Sequence, residues 1–283
     1  MKLVGTGNDF LFIDARDALP GEFASMDRAD IVRKLCDRHF GLGSDGLVFV
    51  EQVDGRYRWD FYNTDGSHAE MCGNATRCLG RWAQLKLNLS TIEFQTLAGH
   101  VEVKVEGANM SSYLDFVAAH PQYLRLTVAG READTFWLDT GVPHLVLNVD
   151  SIDDAKKDLE MIRALRFHAE GGPRGANVTF LKVLGPTSFE TVTYERGVED
   201  FTLSCGTGVV AAAAVGLQLH ELIAAEPKTN REESFVPLAS QATLLATVKT
   251  PGGELNVRFE ENFDGVTLTG PALKVFETEL ETL

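Results

Sequence analysis

No run in this 283-residue sequence approaches the roughly 18 consecutive apolar residues that a bilayer-spanning helix needs, so no membrane segment is expected. The opening residues, MKLVGTGNDF, lack the charged, apolar and small-residue succession of a secretory leader, and the expected location is the cytoplasm. Cysteine is scarce. Four thiols, Cys36, Cys72, Cys78 and Cys205, make no disulfide framework in so long a chain, and a reducing compartment would keep them free. Basic residues are in deficit: 26 Lys and Arg stand against 41 Asp and Glu, a formal net charge of −15 that argues against nucleic-acid or anionic-membrane partners. A small zwitterion can still bind in a locally positive pocket.

Two patterns that would signal a cofactor or metal fail on context. Gly41-Leu-Gly43-Ser-Asp-Gly46 fits the dinucleotide fingerprint letter for letter, but a strand, Leu47 to Val53, follows where a helix should begin. His68-Ala69-Glu70 ahead of Cys72 and Cys78 suggests a zinc deaminase, yet the Pro-Cys-x-x-Cys partner is missing and the cysteine spacing is wrong for zinc. Neither a cofactor nor a metal is expected.

What the chain does have is a motif that occurs twice. Phe61 to Gln84 reads as a short strand, a polar loop, Cys72-Gly73-Asn74, then an apolar run able to continue as a helix; Thr193 to Gln218 repeats the order around Cys205-Gly206-Thr207. Each thiol is thereby expected at a helix mouth, where unpaired N–H groups and the positive dipole end favour an anion and lower a cysteine pKa. A lone cysteine in such a place is more often a small buried hydrophobe. Two copies at about half the chain length suggest two half-molecules whose thiols point into one cleft. Cys78, nearly opposite Cys72 on its helix, and Cys36, on the apolar face of a helix over Asp27 to Arg38, are read as packing residues.

The length suits two domains of about 140 residues, each burying its own core. The expected division is 1–118 plus 269–283 against 119–268, with the crossing at Ala118 to Gln122. Leu3 to Ala15 reads as a strand interrupted at Gly5 to Asp9, a turn that presents Asn8. Alternation marks strands from Thr91 to Val128, around Phe136 to Val149, and at the end of the chain. Ser151 to Phe167 reads as one amphipathic helix, acidic first and basic later. His144 follows Gly-Val-Pro, whose restricted backbone fixes its direction, which makes it the best site candidate among the histidines. Asn177 and Glu195-Arg196 stand at strand ends near the second motif.

Paired thiols suit inversion at a carbon acid: a thiolate takes a proton from one face while a thiol supplies one to the other, and helix N-termini hold the substrate carboxylate as negative charge develops. The ordered set Gly7-Asn8-Asp9-Phe10, Asp65-Gly66, Met71-Cys72-Gly73-Asn74, Gly141-x-Pro143-His144, Asn177-Val178, Glu195-Arg196-Gly197 and Cys205-Gly206-Thr207-Gly208 resembles diaminopimelate epimerase over nearly the whole chain. That resemblance implies an α+β fold of two pseudo-symmetric domains, each a curved, mainly antiparallel sheet around a central helix. It also implies cofactor-independent interconversion of LL- and meso-diaminopimelate for lysine and peptidoglycan precursors, commonly by a homodimer. By position it makes Cys72 and Cys205 the acid/base thiols, with His144 and Glu195 beside them setting their protonation. Gly73, Asn74, Gly206 and Thr207 would hold the reacting carboxylate. Asn8, Asn63, Asn177, Glu195 and Arg196 would contact the substrate, Asn63, Asn177 and Arg196 largely at its distal centre. Val142 departs from the pattern, which often has Asn there. The alternatives are a proline racemase-type enzyme, whose first motif normally carries His where Asn74 stands, and a thiol-disulfide switch, which would leave the surrounding acid/base residues without a task.

Overall fold

A computed structural model of the chain describes residues 1–118, 121–224, 244–260 and 264–280. It comprises two compact units, Met1–Leu114 with Thr269–Leu283, and Asp115–Leu268. Ala119 and His120, inside the expected crossing, lie outside the described residues.

In the first unit strand Lys2–Gly5 pairs antiparallel with Asn8–Asp14, and Asn8–Asp14 pairs parallel with Gly46–Val53. Gly46–Val53 pairs antiparallel with Arg56–Asn63, which lies parallel to Thr91–Gln95, itself antiparallel to His100–Glu106. The second unit repeats this alternation. Arg131–Asp139 is antiparallel to Pro143–Asn148, then come Asn177–Gly185 (parallel), Ser188–Glu195 (antiparallel), Leu244–Thr250 (parallel) and Gly253–Phe259 (antiparallel). A further antiparallel strand flanks the first of each series, Leu273–Phe276 in one unit and Gln122–Val128 in the other. The duplication read from two cysteine motifs thus extends to the order and sense of the strands.

The parallel steps place a helix between their strands, as such crossovers require. Helix Gly73–Leu87 joins Arg56–Asn63 to Thr91–Gln95, and helix Gly206–Ala224 lies between Ser188–Glu195 and Leu244–Thr250. The second helix touches all six strands from Arg131–Asp139 to Gly253–Phe259. A helix about 10 Å across reaches strands spaced about 4.8 Å apart over that width only if the sheet curls around it. Its sequence explains why it can be enclosed: Val209 to Val215 is apolar on every side and almost wholly buried, as expected of a helix inside a core. Among the described residues no helix is long and apolar enough to cross a membrane.

One expectation needs correction. Ser151 to Phe167 is two short helices, Ile152–Ala155 and Leu159–Arg166. Asp158 interrupts the run because its carboxylate accepts the N–H of Met161, so it caps a new helix instead of continuing the old one. The packing residues fall as expected: Cys36 and Cys78 are buried, and helix Arg28–Cys36 starts at an Asp27 cap.

Candidate active site

The Cys72 mouth is built by one helix and one hairpin. Cys72 is the N-cap of Gly73–Leu87, with extended φ −149° and ψ 118°, and its carbonyl takes the first helical bond from Thr76 at 2.9 Å. The N–H groups of Gly73, Asn74 and Ala75 therefore precede any intrahelical acceptor. The hairpin turns at Thr6-Gly7, where Gly7 has φ 92°, a left-handed value suited to glycine. This brings Thr6 and Asn8 beneath the helix. Thr6 Oγ1 donates to Asn74 Oδ1 at 2.9 Å, and Asn74 Nδ2 donates to Asn8 Oδ1 at 2.7 Å. Asn8 in turn donates to Asp45 at 3.2 Å. Arg38 bridges Asp45 and Asp9, and Lys2 reaches Asp9 at 2.8 Å. Burial opposes ionisation of Asp9, but the bonds from Arg38 and Lys2 outweigh it and bring its pKa down to about 2.

The Cys205 mouth has the same plan with other residues. Thr140-Gly141 is the matching turn, Gly141 at φ 99°, and Thr140 Oγ1 donates to the Thr207 carbonyl at 3.1 Å. Val209 N–H makes the first helical bond to Cys205 O at 2.9 Å. Cys205 Sγ lies 3.3 Å from Thr207 Oγ1, and that oxygen lies 3.0 Å from His144 Nε2. Asn177 fixes the imidazole tautomer. Its Oδ1 accepts the Arg196 N–H at 2.7 Å, so its Nδ2 is the atom that faces His144 Nε2, at 3.3 Å. Nε2 is therefore an acceptor, and Nδ1–H donates to Thr179 Oγ1 at 2.9 Å. Full burial, helped by the Arg196 charge, lowers the His144 pKa to about 3 and keeps the ring neutral. Thr207 can then donate to His144 while accepting from the Cys205 thiol, a path along which a proton on sulfur is sensed by the ring.

The remaining candidates are placed by register. Asn63 is opposite Gly46, and the pairing of Val178 with Tyr194 puts Glu195 opposite Asn177, so Asn63 and Glu195 hold equivalent strand ends. Asn63 is exposed and bonds Ser67 at 3.0 Å. Glu195 takes a hydrogen bond from Thr202, and the Arg196 guanidinium donates to Gly175 O at 3.2 Å. In its own unit, then, each mouth brings candidate residues together: Asn8 and Asn74 at one, His144, Asn177 and Thr207 at the other. Sequence reading missed Thr6, Thr140, Thr179 and Arg77, which hold these groups. The first two had a signal, the repeated Thr-Gly dipeptide ahead of Asn8 and Val142. Among the described residues no group of three or more His, Cys, Asp or Glu is arranged to hold a metal ion.

The duplicated sheet is shared with solved structures. One is a hydroxyproline epimerase from Agrobacterium vitis with bound trans-4-hydroxy-L-proline (13% identity, 98% of this chain and 90% of that one, TM-score 0.60). Another is a PhzF-family phenazine biosynthesis protein from Bacillus anthracis (14% identity, 99% of both chains, TM-score 0.63). These likenesses define the fold class, a two-unit α+β architecture. Sequence comparison goes further: residues 1–117 and 136–275 match the family described as diaminopimelate epimerase. The diaminopimelate epimerase of Aquifex aeolicus is 37% identical over 289 residues, covering 99% of this chain and 96% of that protein. This chain belongs to the diaminopimelate epimerase family.

Proposed function

We propose that the chain interconverts LL- and meso-diaminopimelate by two-base proton exchange, with Cys72 and Cys205 as the acid/base pair. One sulfur removes the α-proton as a thiolate while the other, as a thiol, delivers a proton to the opposite face, and the roles exchange in the reverse direction. The observation that carries this reading is the repeated helix mouth, each with a half-buried cysteine at the N-terminal end. The first-turn N–H groups at Gly73, Asn74, Gly206 and Thr207 are suited to the substrate carboxylate, whose charge grows as the carbanion forms. His144 acts on Cys205 through Thr207, and Glu195 serves as a further protonation-setting group. Asn8, Asn63, Asn177 and Arg196 recognise the rest of the substrate, the guanidinium suiting a distal carboxylate. On this reading the enzyme is a cytoplasmic homodimer that needs no cofactor, and light scattering in solution tests the dimer.

The decisive experiment is incubation with LL-diaminopimelate in deuterated water, with product resolved chirally and by mass. Meso product carrying α-deuterium, lost in both Cys72→Ala and Cys205→Ala, is the expected result. Exchange with proline in place of diaminopimelate would transfer the reading to a proline racemase-type reaction, and no exchange with any amino acid would end the acid/base assignment.

A further inference from the structure

The two helix mouths match in plan but not in charge. Five residues after Cys72 stands Arg77, wholly buried; five residues after Cys205 stands Val210, equally buried. The Arg77 side chain folds back toward the start of its helix. One guanidinium nitrogen donates to the Gly73 carbonyl at 2.8 Å, and the other donates to Thr6 Oγ1 and Asn74 Oδ1, both at 2.6 Å. All three acceptors are neutral. Arg77 Nε has no partner, and among the described residues no carboxylate pairs with this guanidinium. A buried charge without a counter-ion is costly, and guanidinium groups are normally buried only with one.

Among the described residues, no charged group on the strands packed against this helix is paired with the Arg77 guanidinium. Lys2 pairs with Asp9, Asp14 with Arg16, and Glu102 with Lys104. Glu93, His100, Glu106 and Lys274 are exposed. The neighbouring Cys78 and Cys72 thiols favour the charged form of Arg77. Burial pushes the Cys78 thiol far up, so it stays protonated. Burial also lowers the Arg77 pKa, to about 10, which still leaves it cationic at neutral pH. Cys72, half-buried at the cap beside Gly73, is an acid on which a balancing negative charge can form.

We propose that Arg77 is a positioning residue whose uncompensated charge makes Cys72 the thiolate of the resting enzyme and leaves Cys205 the thiol. This rests on reading the two cysteines as an acid/base pair. At the second mouth Val210 supplies no charge, His144 is neutral, and the half-buried Glu195 and Arg196 are of opposite sign. A division of this kind fixes the starting state for one direction, Cys72 deprotonated and Cys205 protonated; a turnover leaves Cys72 protonated and Cys205 deprotonated, and proton exchange with solvent then restores the resting state that the Arg77 charge favours. Arg77 has a second task in the same bonds. By donating to Asn74 Oδ1 with Thr6, it turns Asn74 Nδ2 toward Asn8.

The test is peptide-resolved alkylation by iodoacetamide across pH on the ligand-free enzyme. In the wild-type protein Cys72 should react with a midpoint about one pH unit or more below that of Cys205. Arg77→Met should raise the Cys72 midpoint by about one unit or more, a loss of about tenfold in thiolate at neutral pH, and leave Cys205 unmoved. Arg77→Lys should restore it in part. A Cys72 midpoint at or above that of Cys205 in wild type overturns the proposal, as does an unchanged midpoint in folded Arg77→Met. Should the Met variant fail to fold by circular dichroism, the wild-type comparison still decides. Because alkylation needs no substrate, a failed diaminopimelate assay beside a low Cys72 midpoint would count against the proposed reaction and not against this charge asymmetry.

Discussion

Gly208 lies so close to Thr193 that a Cβ on the glycine would stand 2.3 Å from the threonine Oγ1. That hydroxyl is 3.1 Å from Thr179 Oγ1, which receives the His144 Nδ1–H bond. Gly208→Ala therefore presses on the far end of the chain of groups leading to Cys205. Overpacking of this kind costs about 1–3 kcal/mol. The expected result is a lower Tm together with reduced kcat. Thr193→Ala removes the obstructing oxygen, so the double variant should recover much of the lost stability in a double-mutant cycle; strictly additive losses would show that the contact is not the cause.

The Thr207 hydroxyl lies between Cys205 Sγ and His144 Nε2. Thr207→Val keeps the shape and removes the hydroxyl, while Asn177 still donates to the ring. Stability should change by about 1 kcal/mol or less, the scale of one hydrogen bond. Turnover in the direction that uses Cys205 as base should fall by about tenfold or more, since acid/base help is worth at least that. Thr207→Ser should retain most activity. Equal kcat for the Val and Ser variants would remove the hydroxyl from the mechanism.

The thiol motifs were legible because their chemistry is local: a Cys-Gly at the start of an apolar run announces a helix mouth without knowledge of anything distant. Strand alternation was legible for the same reason. Arg77 was not, because a charged residue in a helical segment normally reads as a solvent-facing position, and its burial depends on Thr6, 71 residues away. Thr179 and Thr193 likewise read as ordinary strand residues until the pairing of Asn177–Gly185 with Ser188–Glu195 sets them side by side. The split of the Ser151 to Phe167 helix was hidden by Asp158, which fits an amphipathic face by charge yet acts as a cap by geometry.

Asn8 is the point at which the two turns differ in chemistry. Its Oδ1 accepts from Asn74 Nδ2, a buried donor, whereas Val142 in the second turn has no such atom. Asn8→Val, which copies the second turn into the first, should remove the hydrogen bond that the Asn74 amide donates to Asn8. Loss of one such hydrogen bond costs about 0.5–1.5 kcal/mol. Urea unfolding should show a loss of that size, and substrate turnover should fall because Asn74 sits two residues into the Cys72 mouth. An unchanged midpoint would mean that the amide finds another partner.

His144 makes the fold acid-sensitive in a defined window. Its folded pKa is about 3 against an ordinary value of 6.5, so as pH falls below 6.5 the unfolded chain takes up a proton that the folded chain refuses. Stability is flat with respect to this group above pH 6.5 and falls below it, by up to about 1.4 kcal/mol per pH unit, until pH nears the folded value. Asp9 titrates lower: its folded pKa of about 2 lies below the usual 3.8, so the stability it adds is lost only as pH drops through that lower range. Unfolding free energies measured between pH 6 and 4 thus isolate the histidine from the Asp9 cluster. Wild type should lose stability across this interval more steeply than His144→Gln, whose side chain can still accept from Thr207 and Asn177 but has no proton to gain. Parallel slopes would mean that the ring takes up its proton while folded, and the neutral acceptor assigned to it at the Cys205 mouth would have to be abandoned.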